Sequence, residues 1–144
     1  MDTESGDVES GSVESGHVES GNVERMRAFV EQVHEGGRVE LIDDFVHADF
    51  RNRSAKNGLP DDGRSVAAVT RALHAAFADL KVEIVHCVDT DDVVATHKIY
   101  RGHHVGEWLG APPSGRDVEF RVMDFVRMRD GQFVEHWSVL GPLQ

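Results

Sequence analysis

The sequence predicts an α+β fold in which about three N-terminal helices lie on one face of a mostly antiparallel sheet, a cone if the sheet curls around them. Three observations carry this. Apolar residues recur at spacings of three and four up to about residue 77, and at spacings of two from residue 80 onward; the first is the period of a helix face and the second that of a strand face. Helices followed by a run of strands place the helices on one face of a meander. Of the 144 residues, about 120 remain after an unusual N-terminal stretch, enough for one domain with one core.

That stretch is ESGDVESGSVESGHVESGNV, four near-identical pentapeptides from Glu4 to Val23. Residues 1–24 hold seven acids and no Lys or Arg, so they carry −7 of the chain's −11. Val8, Val13, Val18 and Val23 are five apart, which puts them on neither a helix face nor a strand face. Such a segment cannot bury enough apolar area to offset its ordering entropy. Residues 1–23 are therefore expected to be a solvated, mobile acidic extension, and residues 24–144 the working domain. The extension lacks the basic start and apolar stretch of a secretory signal, and no transmembrane run follows. The single cysteine, Cys87, excludes an internal disulfide and points to a reducing compartment, the cytoplasm. Net acidity argues against nucleic-acid and membrane partners.

The elements follow in order. Val23, Met26, Phe29, Val30 and Val33 form an apolar stripe at helical spacing, with Asn22 as the expected N-cap and Gly36-Gly37 as the stop. Val39, Leu41, Ile42, Phe45 and Val46 suggest a second, short helix. Phe50 to Ser54 reads as a short strand and NGLPDDG (57–63) as a loop. Val66, Val69, Leu73 and Phe77 mark a third helix. Four strands are expected at Leu80–Val88, Val93–His104, Arg116–Met128 and Gln132–Leu140. Asp89 to Asp92 turns between the first two, Gly110 to Gly115 makes a longer connection, and Arg129-Asp130-Gly131 makes a tight hairpin.

The chemistry concentrates in VEFRVMDFVRMRDGQFVEHWSVLG (118–141). By alternation Asp124 shares a face with Phe120, Val122, Val126 and Met128. A carboxylate there needs hydrogen-bond partners or water. It is either a structural aspartate or a general base in a semi-apolar pocket, its pKa raised by burial. The hairpin decides its neighbour. A two-residue loop sets Asp124 opposite Trp137; a three-residue loop with a bulge at Gly131 sets it opposite His136. The second arrangement is preferred. It groups Val122, Asp124, Val134, His136 and Ser138 on one face, where an Asp–His pair can tune each other's proton affinity. The other face then holds Met123, Phe125, Phe133 and Trp137, too apolar for water, and is expected to be a homodimer interface. In RGHHVGEWLGAPPSGR (101–116), adjacent His103 and His104 point to opposite sides, so at most one faces a pocket. Trp108 is either a pocket wall or core. No HExxH, phosphate loop, GxSxG or catalytic Cys–His pattern is present, so no metal site and no cofactor are expected.

GHHVGEWLGAPPSGRDVEFRVMDFVRMRDGQFVEHW resembles the C-terminal half of the SnoaL-like polyketide cyclases, in the nuclear-transport-factor-2-like superfamily. ADFRNRS and NGLPDDGRS resemble that family's strand and loop after the second helix. The likeness spans about residues 24–140. It implies a cone-shaped, usually dimeric fold with a cofactor-free pocket for a small hydrophobic molecule. It further implies intramolecular aldol ring closure, with Asp124 removing the acidic proton and polar groups steadying the enolate. His104 matches the family's loop histidine, Asn52 a polar position on the short strand, and Trp108 the loop aromatic. Phe120, Val122 and Ser138 would complete the substrate wall. Two positions depart from the pattern: His103 stands where Thr is common and Arg53 where His is common. Ser138 stands where related proteins often carry an acid that would favour epoxide hydrolysis through an activated water, which disfavours that reaction here. Fold does not fix function, and the alternatives are a non-catalytic binding protein for a small apolar ligand, or an epoxide hydrolase or isomerase on the same scaffold.

Overall fold

The computed structural model describes residues 19–56 and 58–144. Most of the pentapeptide stretch therefore lies outside the described residues. Helix α1 (Gly21–Phe29) is capped by Ser20 rather than the expected Asn22. The Ser20 Oγ accepts the Val23 N–H at 3.1 Å and donates to Asp89 Oδ2 at 2.8 Å, at the far end of β2. This double use fixes where the helix starts. Val23, Met26 and Phe29 turn inward.

The helix does not stop cleanly. It widens into a π-helical turn, Val30–Glu35, in which the Gly36 N–H reaches back five residues to the Glu31 carbonyl at 3.0 Å. Gly37, at φ 71°, then reverses the chain. A 3₁₀ turn (Val39–Leu41) and the short α2 (Ile42–Phe45) bury Ile42 and Phe45. Strand β1 (Val46–Asn52) begins four residues before the expected Phe50. Helix α3 (Arg64–Ala76) buries Val66, Thr70, Leu73 and Ala76. Phe77, expected in that helix, instead opens β2 (Phe77–Thr90). The remaining strands are β3 (Val93–His104), β4 (Asp117–Arg129) and β5 (Gln132–Leu140).

The five strands form one sheet in the order β1-β5-β4-β3-β2. All neighbours are antiparallel except β1 and β5. The helices cover its inner face, which is the predicted α+β architecture. Alternation is strict along β4, where Val118, Phe120, Val122, Asp124, Val126 and Met128 are all buried. Two apolar clusters fill the interior. One gathers Met26, Phe29, Phe45, Phe50, Val126 and Phe133; the other gathers Leu73, Phe77, Tyr100, Trp108, Phe120 and Val122. No helix among the described residues is long and apolar enough to cross a membrane.

The β4–β5 hairpin follows neither expected register. Asp130 (φ 52°) and Gly131 (φ 77°) form a two-residue turn of the kind that matches strand twist. The pairing then shifts: Met128 faces Phe133, but Arg127 faces Glu135, so Val134 is an extra residue on β5. Asp124 consequently pairs with Ser138, and Val126 with His136. Because the bulge adds one residue to the two-residue loop, His136 still lies on the face of Asp124. Phe133, expected on the outer face, turns inward against Phe29 (ring centroids 4.9 Å apart) and Phe45 (6.3 Å). The outer face keeps Met123 and Phe125, each 55% exposed, and Val139 at 74%.

Candidate active site

Three neighbouring strands bring four polar side chains together beneath α1. Thr96 and Lys98 lie on the inward face of β3, Asp124 on β4 and His136 on β5. Thr96 is the direct cross-strand partner of Asp124, and Lys98 and His136 are its diagonal neighbours, within reach of long side chains. Lys98 Nζ donates to Asp124 Oδ2 at 3.0 Å, and His136 Nε2 donates to the same oxygen at 3.3 Å. The Thr96 hydroxyl donates to Oδ1. The Lys98 side chain is 2% exposed and that of Asp124 5%. This is a buried ion pair of the kind that persists only when its remaining valences are met.

The pair's electrostatics run against the expectation of a raised aspartate. Burial does push the Asp124 carboxyl up. The Lys98 ammonium and the His136 and Thr96 hydrogen bonds outweigh burial and hold the carboxyl well below the usual range. Burial likewise pulls the Lys98 ammonium down, but the Asp124 carboxylate, with the Tyr100 hydroxyl, more than reverses it, so Lys98 stays above its ordinary value. Asp124 is thus an anion at neutral pH. A carboxylate has about four acceptor positions; among the described residues three are taken and one is left.

Lys98, Asp124 and His136 open onto a small cavity of about 60 Å³. Its apolar lining includes Met26, Phe29, Phe50, Val66, Val126 and Phe133; its polar lining is His34, Asn52, Ser65, Lys98, Asp124 and His136. Such a balance suits a mostly apolar ligand oriented by a few polar groups. The π-helical turn delivers His34, whose Nδ1 lies 2.8 Å from the Tyr100 hydroxyl. Burial, and then the nearby Lys98 charge, hold the His34 imidazole well below its ordinary value, so it is neutral. Asn52 comes from the end of β1, its Nδ2 3.4 Å from Ser65 Oγ and its Oδ1 accepting the Ser54 N–H at 3.0 Å.

Of the residues singled out in the sequence, Asp124, His136 and Asn52 line this cavity. His104, Trp108, Phe120 and Val122 do not. Trp108, Phe120 and Val122 belong to the second apolar cluster, where Trp108 packs on Phe77 (5.3 Å) and Phe120 (5.2 Å). His104 is 1% exposed beside Phe77. Its Nδ1 lies 3.2 Å from the Ser114 hydroxyl and accepts the Ser114 N–H at 3.3 Å, and its Nε2 is a buried atom with no partner among the described residues. Ser138 is half-buried opposite Asp124 and gives its backbone N–H to Ser54 Oγ at 2.9 Å. Sequence reasoning missed Lys98, Thr96, His34 and Ser65. Alternation along Val93–His104 does put Thr96, Lys98 and Tyr100 on the face of Val94, and that was the available signal for a buried lysine. No group of three or more His, Cys, Asp or Glu among the described residues could hold a metal ion.

A curved sheet wrapped around helices, with a cavity and a carboxylate in its wall, is a nuclear-transport-factor-2-like fold. Within that class the chain belongs to the SnoaL-like polyketide cyclase family, whose model matches residues 24–143. It is similar to nogalonic acid methyl ester cyclase from Streptomyces nogalater, 24% identical over 69% of this chain and 76% of that one. It is also similar to aklanonic acid methyl ester cyclase from Streptomyces peucetius, 25% identical over 77% of this chain and 78% of that one. In fold it resembles TsrD from Streptomyces laurentii, with a TM-score of 0.76, 21% identity, and coverage of 86% and 91% of the two chains.

Proposed function

We propose that the protein is a cofactor-independent cyclase in which Asp124 removes a proton next to a carbonyl of a hydrophobic substrate. The C–H bond breaks and its proton passes to an Asp124 oxygen. The resulting enolate carbon attacks a second carbonyl of the same molecule and closes a ring. The alkoxide so formed is protonated, and Asp124 is restored by losing its proton. The observation that carries this reading is an ionised, buried carboxylate with one unused acceptor position, set in the wall of a largely apolar cavity. Two related proteins named as cyclases of polyketide methyl esters support it. Holding the substrate against a fixed base supplies the proximity such a step needs. His136 acts as a positioning residue, its hydrogen bond aiming the carboxylate. On the outer sheet face, Met123, Phe125 and Val139 support a homodimer.

One observation favours a second reading. Three donors hold Asp124, which weakens it as a base. The cavity would then only bind an apolar ligand, and the ion pair would be structural. Incubating the protein with nogalonic acid methyl ester and separating products by chromatography distinguishes the two. The cyclase reading expects a ring-closed isomer of unchanged mass, lost in Asp124→Asn. Tight binding with no conversion by the wild type would support the binding protein instead.

A further inference from the structure

We propose that Lys98 is a catalytic residue that exchanges partners during the reaction, releasing the Asp124 carboxylate and taking the enolate oxygen as its counter-ion. This rests on the reading of Asp124 as the base. Both side chains line one cavity, with Nζ and Oδ2 3.0 Å apart, so an oxygen bound beside Asp124 falls within reach of the ammonium. Lys98 has three N–H donors; Asp124 Oδ2 takes one at 3.0 Å, and the Tyr100 hydroxyl is a second neighbour of the ammonium. The third donor is available to a ligand oxygen.

Charge conservation gives the exchange its logic. In the resting site the anion is on Asp124 and the cation on Lys98. When the proton moves to Asp124, the electron pair of the broken C–H bond is delocalised onto the substrate oxygen. One anion and one cation are present before and after, and neither faces the apolar walls unpaired. As the ammonium turns toward the new oxyanion, it stops suppressing the proton affinity of Asp124. The base thus strengthens as the enolate forms, which answers the objection that three donors leave it too weak. A fixed cation in a water-poor site is worth far more to a developing oxyanion than it is in water.

para-Nitrophenol tests this without any cyclase substrate, because its phenolate carries an oxyanion and absorbs differently from the neutral phenol. The titration is run by absorbance at a pH where the free phenol is mostly protonated. The wild type is expected to bind the phenolate, with its ionisation midpoint about one unit or more below that of the free probe, a tenfold preference. Lys98→Met should lose this preference and Lys98→Arg should keep most of it. The double variant Lys98→Met/Asp124→Asn, which leaves no uncompensated charge, should bind only the neutral phenol. Asp124→Asn, with Lys98 freed, should bind the phenolate more tightly than the wild type while losing ring closure. Wild-type protein that binds only the neutral phenol, or does not bind it, overturns the proposal. So does undiminished phenolate binding by the double variant. Failure of the base reading shows separately, as ring closure that survives in Asp124→Asn.

Discussion

Replacing Lys98 by Met keeps most of the side chain's volume but leaves the Asp124 carboxylate buried without its counter-charge. At 3.0 Å and an effective dielectric of about 20, the lost attraction is about 5 kcal/mol. Removing one partner of a buried pair costs about 3–5 kcal/mol in practice. Urea unfolding at pH 7 should therefore show the unfolding free energy lowered by that amount, read as a lower midpoint with the slope unchanged. Adding Asp124→Leu removes the orphaned charge, and stability should return to within about 1–2 kcal/mol of the wild type or exceed it. The pH dependence adds a second check. Asp124 is depressed in the folded state, so its stabilisation is present above its unfolded value of about 3.9 and is lost as pH falls toward the folded one. Lys98 is raised, so its share is present below about 10.4 and is lost as pH rises through the folded value. The deficit of Lys98→Met should thus be largest on the neutral plateau and shrink in acid, where Asp124 becomes protonated. A deficit under about 1 kcal/mol, or double-variant losses that simply add, would refute a buried, coupled pair.

Three further outcomes are expected. His34 is held neutral in the fold, so below about 6.5 the unfolded chain binds more protons and stability falls, by up to about 1.4 kcal/mol per pH unit. His34→Asn should flatten that slope in urea unfolding between pH 7 and 5, and an unchanged slope would mean that His34 charges inside the fold. His136→Gln should reduce turnover less than Asp124→Asn does, with a stability change of about 1 kcal/mol or less, because its hydrogen bond to the carboxylate is long and its side chain is 24% exposed. Sedimentation velocity at micromolar concentration should give twice the chain mass, reduced to one chain by Phe125→Glu on the outer face, whereas a monomeric wild type would remove the dimer.

Much of this arrangement was legible before the structure. The bounds of β3 and β5 are those expected, and strand alternation alone put Asp124 among buried neighbours. What escaped has physical reasons. A lysine in a strand reads as a surface residue; only the pairing of Thr96 with Asp124 shows that Lys98 has an anion beside it. The extra residue Val134 is invisible to a two-fold period and shifts the partner of Asp124, while the two-residue turn pairs Phe133 with Met128 and so sets it on the inner face. His34 fell outside the helical stripe because a π-helical turn, which apolar spacing does not encode, rotates it into the cavity. His104 and Trp108 were carried by a sequence resemblance, and resemblance did not place them against this cavity.

The central claim, that Asp124 takes a proton from carbon, is tested most directly by hydrogen exchange. In deuterated buffer, nuclear magnetic resonance would follow loss of the signal from the enolisable position of nogalonic acid methyl ester. The wild type should speed that exchange well above the buffer rate. Asp124→Asn should slow it by about 10²–10⁴-fold, the usual range for loss of a general base, with its circular dichroism spectrum unchanged. Equal exchange rates in the wild type and in folded Asp124→Asn would contradict the account.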